Sequence, residues 1–167
     1  MIAVIRHLAN MLLLLLPPSR AFGLRRLVLR AMRANIGNDV CICGGGWIYG
    51  RGQLSIGDET WFSPGTVFFT HENAYIRIGK KCDVGPCVRF VLGSHEIAGR
   101  GRRAGEGTAK SIFVGDGCWI GGSSTILGGV TIGAGSVIAA GSLVREDVPE
   151  NSLVAGVPAK VKRQLVP

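Results

Sequence analysis

From Val114 onward an aliphatic residue returns at every sixth position without a slip, at Val114, Ile120, Ile126, Ile132, Ile138 and Val144. An α-helix repeats its faces every ~3.6 residues and a lone strand every ~2, so neither accounts for this period. The same phase recurs upstream at Ile36, Ile42 and Ile48, at Ile56, Phe62 and Phe68, and at Ile78, Val84 and Phe90. Three hexads form a group, and each of the five groups opens on an aliphatic followed by glycine: Ile36-Gly37, Ile56-Gly57, Ile78-Gly79, Val114-Gly115 and Ile132-Gly133. Group starts lie 20, 22, 36 and 18 residues apart, a basic 18 with additions. If every addition follows the third hexad, all of them leave from one corner of a triangular coil. Short strands stacked coil on coil then bury one apolar column, the pattern of an all-β parallel β-helix of about five coils over residues 34–167.

Composition agrees with that reading. Glycine supplies 26 of 167 residues, about twice its usual share, and 47% of the chain is hydrophobic. Helices disfavour glycine and disordered chains lack this much Ile, Val and Leu, so bundles and disorder are excluded. Four residues after each group start stand Val40, Thr60, Cys82, Cys118 and Ser136, a column of modest side chains beside the large aliphatics. Cys82 and Cys118 therefore read as structural. Five cysteines without a Cys-x-x-Cys pair read as reduced thiols of a cytoplasmic protein, and the ligand spacing of a zinc site is missing. The formal charge of +8 points to an anionic partner. Nucleic acid is disfavoured because the charge is dispersed and no aromatic residues interleave with it.

Residues 1–33 differ in composition from the rest of the chain and read as a short helical segment. The apolar run Leu12 to Leu16 is too short to span a bilayer and is ended by Pro17-Pro18, and no small-residue cleavage site comes after it. A second helix from Phe22 places Leu24, Leu27, Val28 and Ala31 on one face and Arg26, Arg30 and Arg33 on another. Two readings stand: both helices pack on the main domain or a neighbouring subunit, or they attach peripherally to an anionic membrane surface.

The largest addition is a loop at about 96–110 with four glycines and four cationic residues, which reads as flexible, basic and too polar for a core. His95 stands at its root, where a rigid strand would fix the imidazole, the side chain best suited to proton transfer near neutral pH. His71 lies on the third side of the group before. No nucleophile elbow, phosphate-binding P-loop or dinucleotide fingerprint is present, which weakens hydrolase, kinase and dehydrogenase readings.

Ser94-His95, the segment Ile112-Phe113-Val114-Gly115-Asp116-Gly117-Cys118-Trp119-Ile120-Gly121-Gly122, and Val154-Ala155-Gly156-Val157-Pro158-Ala159-Lys160-Val161 together resemble the hexapeptide-repeat O-acetyltransferases. The maltose, galactoside and nodulation-factor acetyltransferases are nearest in motif, and the resemblance covers about residues 34–165. It implies a left-handed coil, a homotrimer with sites between subunits, and transfer of acetyl from acetyl-CoA to a hydroxyl of a saccharide or cell-surface glycan precursor. By that resemblance His95 is the general base, and a backbone N–H of the Trp119 to Gly122 turn, that of Gly122 first, holds the thioester carbonyl. Ala140, one coil after Gly122, would continue a groove for the pantetheine arm. Arg145, Lys160 and Arg163 match positions near the nucleotide phosphates, although Glu146 stands where some relatives carry lysine. For the acceptor, His71, Glu72 and Asn73 are the candidates on the preceding coil, and Glu72 or His71 is also a candidate to orient His95. No metal is expected.

Serine and xenobiotic acetyltransferases share the repeat, but the serine enzymes carry a helical domain larger than 33 residues. A γ-type carbonic anhydrase needs three zinc-binding histidines near subunit interfaces, and this chain has only His7, His71 and His95. A purely structural β-helix would not need the Trp-Ile-Gly-Gly turn with a histidine-rooted loop.

Overall fold

The computed structural model describes residues 2–166. After helices α1 (Ile2–Leu15) and α2 (Phe22–Ala31), the chain winds into a three-faced coil. The first face stacks β1 (Asn35–Ile36), β4 (Gln53–Ile56), β7 (Tyr75–Ile78), β12 (Ile112–Val114) and β15 (Thr131–Ile132). The second stacks β2 (Cys41–Ile42), β5 (Trp61–Phe62), β8 (Asp83–Val84), β13 (Trp119–Ile120), β16 (Val137–Ile138) and β18 (Ser152–Gly156), with β19 (Ala159–Gln164) folded back antiparallel on β18. The third stacks β3 (Trp47–Tyr49), β6 (Val67–Phe69), β9 (Arg89–Val91), β14 (Thr125–Leu127) and β17 (Leu143–Val144).

Pairing within a face is parallel, and its register is the spacing read from the sequence. Ile36 pairs with Ile56, Ile56 with Ile78, Ile78 with Val114 and Val114 with Ile132. The coil also starts a sixth turn, with Val148 bridged to Ile132 and Val154 paired to Ile138, before the β18–β19 hairpin closes its end. That turn escapes the hexad count because Val148 comes four residues after Val144 instead of six.

Two columns fill the interior. Apart from the half-buried Ile42, the hexad residues are buried, with Ile120, Ile126, Ile132 and Ile138 all at 0% exposure, and Phe68 and Phe90 stack with centroids 5.3 Å apart. Each fully buried aliphatic side chain contributes about 1.5–3 kcal/mol. Beside them runs a polar ladder in which each side chain donates to a carbonyl one coil on: Thr60 to Gly79 (2.9 Å), Cys82 to Gly115 (3.2 Å), Cys118 to Gly133 (3.2 Å) and Ser136 to Pro149 (2.7 Å). Bonding with Cys118 and burial push the Cys82 thiol above its ordinary range, so it stays protonated and donating. The glycine after each group's first aliphatic answers a close approach: a Cβ on Gly57 would sit 2.6 Å from the Gly79 carbonyl carbon of the next coil.

The helices cover the coil's open beginning. An open first coil would leave strand carbonyls without the amide that later coils receive, as when Gly37 N–H donates to the Ile56 carbonyl at 2.9 Å. Arg30 Nε and Nη2 donate to the Ile36 carbonyl (3.0 and 2.8 Å), and Arg26 Nη1 to that of Val40 (3.0 Å). The Asn10 carboxamide imitates a strand, donating to the Ile48 carbonyl (2.9 Å) and accepting from its N–H (3.2 Å). Arg25 is buried and donates to the carbonyls of Leu13, Leu16, Pro17 and Arg20, closing the end of α1. The faces that pack therefore mix polar and apolar side chains, with Ala9, Leu13, Val28 and Leu29 against the core beside the arginines. Arg6 and Asn10 of α1 and Arg25 and Leu29 of α2 point inward, whereas Val4, Leu8, Met11, Leu15, Leu24 and Leu27 are exposed. No described helix is long and apolar enough to cross a membrane.

Truncating the central column tests this packing. Ile120→Ala should cost about 2–5 kcal/mol, read as a lower denaturation midpoint at an unchanged slope in urea; a cost below about 1 kcal/mol would show that the column does not carry the fold.

Candidate active site

The segment between β9 and β12 is not a flexible loop. It is an ordered antiparallel hairpin of β10 (Gly93–Ile97) and β11 (Ala104–Ala109), pairing Gly93 with Ala109, Ser94 with Thr108 and His95 with Gly107. Only its tip, around Arg100 and Arg102, lies outside the ladder, and the register shifts between His95 and Ile97. Of its glycines, read in the sequence as looseness, Gly105 lets the two strands approach, since a Cβ there would meet that of Ala98 at 2.8 Å, while Gly99 and Gly101 at the tip have open space around them.

His95 leaves β10 exposed, with Nδ1 3.0 Å from the Gly105 carbonyl across the hairpin. A carbonyl has no proton to give, so this contact requires Nδ1–H and leaves Nε2 unprotonated in the neutral ring. Around it opens a cleft of about 240 Å³, lined by Ser94, Glu96, Thr108, Lys110 and Gly128 among others. Lys110 is an addition to the candidates read from sequence. Its position at the hairpin's exit, facing Gly128-Gly129 of the next coil, is legible only once the hairpin register is known.

His71, Glu72 and Asn73 turn the corner one coil before the hairpin. The Asn73 N–H donates to His71 Nδ1 (3.2 Å), and the Glu72 carboxylate pairs with Arg51 Nη2 at 2.8 Å. Within one chain the partner of His95 is thus Gly105, not Glu72 or His71. Arg51 was missed in the sequence, although the coil register that pairs Tyr49 with Phe69 brings it beside this corner.

Trp119, Gly122 and Ala140 lie on another edge, where the second face turns into the third. Trp119 is 58% exposed on β13, and the register of β13, β16 and β18 stacks Pro86, Gly122, Ala140 and Gly156 into a column without large side chains. The Gly122 N–H has no acceptor among the described residues, while its carbonyl accepts from Gly141 N–H at 2.9 Å. This narrow strip, with a free donor, fits an extended thin chain such as pantetheine.

Arg145, Glu146 and Lys160 gather at the far end of the coil. Lys160 Nζ reaches both Glu146 carboxylate oxygens (3.0 and 2.8 Å), and Arg145 Nε lies 3.5 Å from Oε1. Hydrogen bonding and attraction from Lys160, with help from Arg145, hold the Glu146 carboxyl below its ordinary range. Arg163 lies on β19 opposite Leu153 and is exposed. Arg145 and Lys160 fit the phosphates of a nucleotide, with one carboxylate set against them, and Arg163 stands further along the strand that carries Lys160. Among the described residues no group of His, Cys, Asp and Glu is placed to hold a metal.

The structure therefore brings the three cations to one end and the small-residue strip to one edge, and puts His95 on a different edge, where the third face turns into the first. One chain does not bring His95 and Gly122 together.

Residues 111–146 match the model of the bacterial transferase hexapeptide, six repeats. A hexapeptide-repeat acetyltransferase of Vibrio cholerae superposes with a TM-score of 0.81 at 34% identity, covering 99% of this chain and 93% of its own. The same Vibrio protein is known in complex with acetyl-CoA, at a TM-score of 0.80. A galactoside acetyltransferase in complex with coenzyme A superposes at 0.81 with 25% identity, over 99% of this chain and 81% of that one. The sophorolipid acetyltransferase of Starmerella bombicola is 45% identical over 113 residues, 68% of this chain and 43% of its own length. The chain spans less than half the length of the curated relatives it matches. The left-handed sense implied by the sequence motifs fits these neighbours. The three-faced coil and a near full-length relative agree, and the chain belongs to the hexapeptide-repeat acetyltransferases, whose co-substrate is acetyl-CoA.

Proposed function

We propose that the chain transfers acetyl from acetyl-CoA to a hydroxyl of a saccharide, with His95 as general base, at a site shared between two subunits of a homotrimer. The observation that carries the reading is the Nδ1 contact to Gly105, which fixes the tautomer and turns a basic Nε2 toward a cleft open to solvent. The acceptor class is supported by similar proteins that act on a galactoside and a sophorolipid.

Bound acetyl-CoA supplies an acetyl thioester. His95 Nε2 takes the acceptor hydroxyl's proton as the oxygen attacks, then returns that proton to the departing sulfur, so no acyl group rests on the protein. The Gly122 N–H donates to the thioester oxygen as negative charge develops there. The column at Gly122 and Ala140 leaves room for the pantetheine arm, and Arg145, Lys160 and Arg163 attract the phosphates. His71, Glu72 and Asn73 offer hydrogen bonds to sugar hydroxyls on the coil beside the hairpin. The separation of His95 from Gly122 on different edges is what favours a shared site, since a neighbouring subunit supplies the missing half. The outward apolar face of α1 and the six arginines of residues 1–33, with no acidic residue among them, favour peripheral contact with the inner face of a membrane and a lipid-linked acceptor.

His95→Ala should lower turnover on a saccharide acceptor by about 10²–10⁴-fold with little change in acetyl-CoA affinity. Thiol release measured across mono-, oligo- and nucleotide sugars checks both the residue and the acceptor, and near-normal turnover in the variant would remove His95 from the mechanism. Glu146→Gln should release Lys160 and Arg145 and lower the KM for acetyl-CoA by about two- to fivefold, with a smaller effect for dephospho-CoA. A raised KM would mean that Glu146 positions the cations and does not oppose the phosphates.

A further inference from the structure

A second and larger cavity, about 400 Å³, opens on the first face, against β4 and β7. It adjoins the root of the hairpin, where the Tyr75 N–H donates to Ser111 Oγ at 3.2 Å. Four arginines line it, Arg6, Arg33, Arg51 and Arg77, and no acidic residue does. They come from α1, from the turn after α2, from the corner after β3 and from β7, so the fold collects them from four separate elements.

Like charges crowded around one cavity repel unless an anion is shared among them. Among the described residues, only Arg51 has a carboxylate partner, Glu72, which lies outside the lining. Arg77 rests over the Tyr75 ring, 5.8 Å from its centroid. Arg6 is the most telling. It is 4% exposed, its Nη1 donates to the Gly50 carbonyl (2.8 Å) and Thr70 Oγ1 (3.2 Å), and its Nη2 donates to the Gly52 carbonyl (2.8 Å). Its Nε is buried and has no partner. All of its acceptors are neutral, and burial lowers its pKa with nothing anionic to offset that. A buried cation without a counter-charge is costly, and removing one side of such a pairing is among the larger penalties a fold can carry.

We propose that this cavity binds a phosphate group, as a phosphomonoester or diphosphate, through Arg33, Arg51 and Arg77, with the buried charge of Arg6 behind them. Guanidinium forks pair with the oxygens of a tetrahedral oxyanion in bidentate fashion, and Gln53 and Ser55 in the same lining add neutral donors. The volume exceeds what one phosphate fills and leaves room for a second phosphate or a sugar. The site is separate from the cations at Arg145 and Lys160, and its existence does not rest on the acetyl-transfer reading.

Titration of the full-length protein with pyrophosphate at constant ionic strength, followed by calorimetry, tests the proposal. An Arg145→Gln/Lys160→Gln variant, titrated alongside, separates this cavity from the cations at the far end of the coil. One site per chain is expected, with affinity at least tenfold weaker in Arg51→Gln/Arg77→Gln and unchanged in Arg89→Gln, a β9 arginine outside the cavity. Thermal melts of the variants in the absence of anion establish that they are folded. Vesicles of phosphatidic acid in phosphatidylcholine form the second arm. Binding of vesicles that the Arg51→Gln/Arg77→Gln substitution abolishes identifies a lipid headgroup as the source, and binding of pyrophosphate alone identifies a soluble phosphate. No binding, equal binding by the Arg51→Gln/Arg77→Gln variant, a matching response to potassium chloride, or loss of binding in the Arg145→Gln/Lys160→Gln variant would overturn the proposal.

Discussion

Parallel pairing of strands at a basic interval of 18 residues is the constraint on which everything else in this molecule depends. It forces one aliphatic per face into the axis, as at Ile120 and Ile138, and it leaves no room for a Cβ where Gly57 meets Gly79. It also converts sequence distance into position: residues one coil apart, such as Gly122 and Ala140, become neighbours along an edge. Chemistry can then be laid out along straight edges that the interior keeps rigid.

Two kinds of addition break this regularity, and each has a function in the architecture. The hairpin at Gly93–Ala109 emerges between β9 and β12 without disturbing the register of either, because Ile112 still pairs with Ile76. Its own pairing places the Gly105 carbonyl against His95, so the insertion orients the imidazole that it carries. The helices at the start act on the opposite need. A β-helix has an open end, and Asn10, Arg26 and Arg30 supply the hydrogen bonds that a preceding coil would otherwise make.

The hexads, their grouping by three and the register were legible in the sequence because burial of a single aliphatic column imposes a strict period. The buried Thr60, Cys82, Cys118 and Ser136 ladder came from the same count. What was not legible has a physical reason in each case. The inward face of α2 sets Arg25 and Arg26 beside Val28 and Leu29, because Arg26 meets an unpaired strand carbonyl, a demand invisible to hydrophobic periodicity, and Leu24 and Leu27 are outside. Gly105 reads as flexibility, since a tight two-stranded approach and a loose loop share one composition. Ion pairs such as Glu72 with Arg51, and Glu146 with Lys160, depend on which corners and ends meet, and spacing alone does not give side-chain direction.

A site divided between edges, with His95 on one and the strip at Gly122 and Ala140 on another, is the central claim. Mixed oligomers test it most directly. His95→Ala subunits and Ala140→Trp subunits, the latter with an exposed residue enlarged to fill the strip, should each be inactive alone. Unfolded together and refolded as a one-to-one mixture, they should recover about one quarter of wild-type activity, because a random trimer pairs an intact histidine with an intact neighbouring strip at that frequency. Mixed trimers, verified by mass, that show no activity would contradict the account and place the whole site within one chain.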